Sequence, residues 1–63
     1  IMSNVKRTIS RARHYLINLD NEKEYLDLCF QFLKTAPHEE REELIKESLK
    51  DGFALRHFTN RGY

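Results

Sequence analysis

The sequence predicts an all-α protein: a three-helix bundle over residues 4–19, 22–34 and 37–50, with a short helical turn near residues 53–58. Three observations predict it. Apolar residues recur at intervals of three and four along most of the chain, the spacing that gathers them on one side of a helix. Only two glycines and one proline occur, too little punctuation for a meander of short strands. The breaks in the pattern fall at Asp20-Asn21, Thr35-Ala36-Pro37 and Asp51-Gly52, residue types that cap and stop helices.

In the first helix Val5, Ile9, Ala12, Leu16 and Leu19 follow at intervals of four, three, four and three. At helical period they form a stripe about 80° wide, a seam for one packing face. Ser3 or Asn4 is placed to cap its start. Asn21, followed three residues later by Glu24, has the pattern of a reciprocal cap for the second helix. That helix carries Tyr25, Leu26, Leu28, Cys29, Phe30, Phe32 and Leu33, an arc of about 200°. Such an arc is too wide for one partner helix. The second helix must either sit between two neighbours or bury part of its face against a second chain.

Pro37 disfavours helical geometry at the residue before it and suits a first turn, so it opens the third helix. Glu39, Glu40, Glu42 and Glu43 near its start and Lys46 and Lys50 near its end complement the helix dipole. Its apolar content is thin: Leu44, Ile45 and Leu49. Gly52 is its stop, since glycine takes the left-handed conformation at little cost. Beyond it, Phe53 to Phe58 return aromatic mass to the core, and Thr59 to Tyr63 are expected to fray.

A chain of 63 residues holds one domain and no deep substrate cleft. A core of this size leaves only about 3–5 kcal/mol of net stability, so help from self-association is expected. Cys29 is the single cysteine, which rules out an intrachain disulfide and fits a cytoplasmic, reducing environment. No apolar run approaches the length of a membrane span, and no cleavable leader opens the chain. Ile1 stands ahead of Met2, and the native product is expected to be a complete small reading frame starting at that methionine.

Nothing in the sequence points to catalysis, a metal or a cofactor. His14, His38 and His57 lie on separate segments, in none of the local spacings that make a metal site. Cys29 falls on the apolar arc, where a thiol behaves as a small hydrophobe. The glutamates of the third helix serve its dipole, whereas paired catalytic carboxylates need a walled cleft. No phosphate loop, nucleophile elbow or dinucleotide fingerprint occurs.

Binding is the expected mode of action, and two surfaces compete for it. Formal charge sums to only +1, but it is unevenly spread: residues 1–19 hold Lys6, Arg7, Arg11 and Arg13 with no acid, while residues 20–51 hold five cations against ten acids. Arg7, Arg11 and His14 project on one line opposite the apolar stripe, flanked by Lys6 and Arg13. Such a ridge suits an acidic protein surface or phosphates. The second surface is apolar: Tyr25, Leu28, Phe32, Phe53, Leu55 and Phe58, joined by Tyr63, a set able to close a homodimer or dock on another protein.

The expected function is therefore a small regulatory or inhibitory module that binds a protein partner. A nucleic-acid-binding regulator using the basic ridge is the second reading, weakened because the second and third helices begin with acids that would face phosphate. A structural subunit of a larger assembly is the third.

Overall fold

A computed structural model describes residues 4–59. It is the predicted all-α bundle, with α1 at Asn4–Leu19, α2 at Glu22–Thr35, α3 at His38–Lys50 and a one-turn α4 at Leu55–Thr59. No described helix is long and apolar enough to cross a membrane.

Each boundary has a local cause. Asn4 is already the first helical residue of α1, and Ser3 lies outside the described residues. α1 stops at Asp20, which takes φ +48 and so turns the chain left-handed, a conformation Asp tolerates better than most residues. The Asn21 N–H then donates back to the Tyr15 carbonyl at 3.0 Å. The Asn21 side chain accepts from the Glu24 N–H at 3.2 Å, so the cap of α2 forms in one direction and the Asn21 N–H is spent on closing α1. Pro37 is the residue before α3, not its first: it is extended, at φ −60 and ψ 158, and its carbonyl takes the Arg41 N–H at 3.0 Å.

α3 ends in a Schellman turn. Gly52 adopts φ +93 and donates to Leu49, while Phe53 donates to Ser48 at 2.9 Å. Ser48 is fully buried, and its hydroxyl shares one proton between the carbonyls of Ile45, at 2.7 Å, and Phe53, at 3.0 Å. This turn aims Phe53 back at α2, where its ring stacks on Tyr25 with centroids 4.6 Å apart. The chain then enters α4 two residues later than the sequence suggests, at Leu55.

The core is built from Val5, Ile9 and Ala12 of α1, Tyr25, Cys29, Phe30 and Leu33 of α2, Leu44 and Ile45 of α3, and Leu55 of α4. α1 packs most extensively on α2. α1 and α3 run in the same direction: Asn4 shares a cleft with Pro37 and Glu40 at one end, and Arg13 meets Glu47 and Asp51 at the other. The shortest axis of the molecule is 18 Å, too thin for any helix to be enclosed all round, so each keeps an outer face. The predicted stripe of α1 is buried only in its first part. Leu16 is partly covered, and Leu19 at the helix end is 57% exposed. Leu49 of α3 also points outward.

Candidate interaction surface

The outer face of α1 carries the basic line that its period dictates. Lys6, Arg7, Arg11 and His14 are all exposed. The guanidinium groups of Arg7 and Arg11 make no hydrogen bond or ion pair among the described residues. His14 Nδ1 lies 3.2 Å from the Asn18 amide nitrogen, one turn further along, and its ring meets Tyr15 edge-on at 5.7 Å. Ile17 continues the same outward face and is 75% exposed, the most exposed large apolar side chain described.

Arg13 does not belong to this surface. It projects to the side of α1 that faces α3, where its Nε lies 2.8 and 3.1 Å from the two carboxylate oxygens of Asp51. Its Nη2 reaches the Glu47 carbonyl at 3.3 Å and the Glu47 carboxylate at 3.4 Å. Asp51 raises the guanidinium above its ordinary range, chiefly through this hydrogen bond. Asp51 also accepts from the Tyr25 hydroxyl at 2.7 Å. Arg13, Asp51 and Tyr25 thus tie α1, the end of α3 and α2 into one knot, an internal brace in place of the expected flank of the ridge.

The apolar set divides as well. Tyr25 and Leu55 are fully buried in the chain's own core, and Leu28, Phe32 and Phe53 pack against it in part. Phe58 lies over Phe30 with ring centroids 5.5 Å apart and keeps 36% of its surface exposed. Tyr63 lies outside the described residues. Of the two explanations for the wide arc of α2, neighbours on several sides are what the structure provides: Phe53 covers Tyr25, Phe58 covers Phe30, and Phe32 faces the start of α1. None of the large exposed apolar residues is on α2. The width of α2 therefore needs no second chain.

One feature escapes any reading of single helices. Arg7 and Thr8 of α1, Phe32 of α2, Ala36 and Pro37 of the following turn, and Glu40 of α3 line an open cleft of about 360 Å³. Asn4 and Thr35 add further polar groups to its walls. It exists because α2 runs back along α1, setting the Thr35-Ala36-Pro37 turn beside the first turns of α1. The signal in the sequence is the tight, proline-bearing connection, which brings residues 35–40 to the level of residues 4–8 once the first two helices are folded against each other. The cleft joins the two surfaces expected separately: Arg7 from the basic ridge and Phe32 from the apolar set meet in it.

The ionisable groups inside the bundle are held in their neutral forms by burial. Burial, the largest cause, pushes the Cys29 thiol up to about 12, far from a thiolate at neutral pH. Burial and the hydrogen bond to Asp51 likewise raise the Tyr25 phenol well above its ordinary value. Among the described residues no group of three or more His, Cys, Asp or Glu is placed to hold a metal ion. No protein-family model, curated protein or solved structure matches the chain.

Proposed function

We propose that this chain is a small regulatory or inhibitory module that binds another protein through the outer face of α1. The observation that carries the reading is the contrast between its arginines. Arg13 is consumed by the fold, whereas Arg7 and Arg11 stand one helical turn apart on an exposed face with no ionic partner among the described residues. Arginine is enriched at interface hot spots because its planar fork binds carboxylates in two places and its weakly hydrated head desolvates readily. Ile17 on the same face favours a protein over a phosphate backbone, which has no apolar surface to offer it. The lone buried cysteine suits a reducing compartment such as the cytoplasm. The reading requires no second copy of the chain.

The test is capture of binding partners from cell lysate by the protein and by its Arg7→Glu/Arg11→Glu variant, with and without nuclease. The expected result is a protein captured in both nuclease conditions by the parent chain, with recovery lowered about tenfold or more by the variant at unchanged helicity. Equal recovery by the variant rules out this face. Capture that vanishes on nuclease treatment and weakens steeply with salt favours nucleic acid instead.

A further inference from the structure

We infer that the cleft between the start of α1 and the α2–α3 turn is an anchor pocket for one apolar side chain of an acidic protein segment, whose carboxylates lie along Arg7 and Arg11. This rests on the reading of α1 as the contact surface and adds the chemistry of the partner.

The cleft's volume, about 360 Å³, is at the small end of the range for ligand sites and suits one or two side chains. Phe32, Ala36 and Pro37 supply its apolar wall, and Asn4, Thr8 and Thr35 set polar groups around it. Arg7 and Glu40 both line it, yet they form no ion pair with each other, and neither has an ionic partner elsewhere among the described residues. Two opposite charges that share a cleft without closing on each other leave both available to an occupant and give it a direction. A carboxylate belongs on the α1 side, and the Glu40 side disfavours a second one. Arg11 continues the positive line away from the cleft by one turn, a rise of about 6 Å. The complementary segment therefore presents one large apolar residue with two acids to one side of it, about that far apart. An apolar anchor in a pocket with charged pairs at its margin is the arrangement in which a small interface concentrates its binding energy.

The experiment is selection of a phage-displayed random peptide library on the immobilised full chain, with binding of the enriched peptides then measured to three variants. Arg11→Glu reverses the line outside the cleft. Ala36→Phe fills the cleft at an extended position that accepts any L residue, φ −79 and ψ 149. Glu40→Gln removes the opposing charge and serves as a milder probe of the cleft should the phenylalanine variant unfold. Peptides with one aromatic or large aliphatic residue beside Asp or Glu are expected, with binding lowered about tenfold or more by Arg11→Glu and by Ala36→Phe. Glu40→Gln should relax the direction so that acids on either side of the anchor are accepted. Loss with Arg11→Glu but no effect of either cleft variant overturns the anchor pocket and leaves the α1 reading standing. No enrichment, or enriched peptides without acids, overturns both.

Discussion

Asp51 and Tyr25, twenty-six positions apart, meet at 2.7 Å, and the carboxylate that accepts the phenol's hydrogen bond also receives Arg13 from a third helix. Each partner makes the other's burial tolerable. The Tyr25 residue has no exposed surface, so in the fold its hydroxyl relies on Asp51 for a partner. An orphaned buried donor costs about 1–3 kcal/mol.

Asp51→Ala is accordingly expected to lower stability by about 2 kcal/mol, a figure that discounts the Arg13 contact because that side chain is 31% exposed. Against a net stability of only about 3–5 kcal/mol for a core this size, the loss is large. Urea unfolding followed by circular dichroism measures it. Tyr25→Phe with Asp51→Ala should cost less than the two single changes added together, since removing the hydroxyl removes the orphan. Strict additivity would show that the phenol does not depend on the carboxylate.

Stability should fall in alkali for a reason distinct from surface charge. The Cys29 thiol moves from an ordinary 9.0 to about 12 in the fold, so the unfolded chain ionises first. Its contribution is complete below pH 9 and drains away as pH rises toward 12. The Tyr25 phenol, also raised, acts in the same direction above its ordinary 10.0. Unfolding midpoints taken at rising pH should decline from about pH 9, less steeply in Cys29→Ala and Tyr25→Phe. A midpoint that stays level in the parent chain would contradict the enclosure of both groups.

Arg41 offers a change in the opposite direction. Its Nε is buried and has no hydrogen-bond partner among the described residues, and it lies on the face of α3 that leads to Leu44, Ile45 and Ser48. Arg41→Met keeps the apolar stem and removes the unsatisfied donor. The expected gain is about 1 kcal/mol, read as a higher thermal midpoint. A clear loss would mean that the rest of the guanidinium contributes more than its orphaned nitrogen costs.

The helices were legible because their signals are local. The interval of three and four in Val5, Ile9 and Ala12, the Asn21 cap and the Gly52 stop each act within a turn or two, and they place the ends of α1, α2 and α3 within a residue. Arg13 was not legible. On a helical wheel it lies between the outward line of Arg11 and the buried stripe, and only the position of α3 decides that it turns to Asp51, thirty-eight residues away. The same holds for Leu49, outward despite its apolar character, and for the cleft, whose walls come from three elements. Period and capping fix what each helix is. The sides on which its neighbours stand depend on tertiary packing that no single segment contains.

Leu55 has no exposed surface although it follows three completed helices. The three long helices alone therefore leave an open centre, and the plug that closes it comes from α4. A chain truncated after Gly52 would present its greasy middle to chaperones and proteases, and only the three residues from Phe53 to Leu55 stand between that vulnerable state and a sealed one.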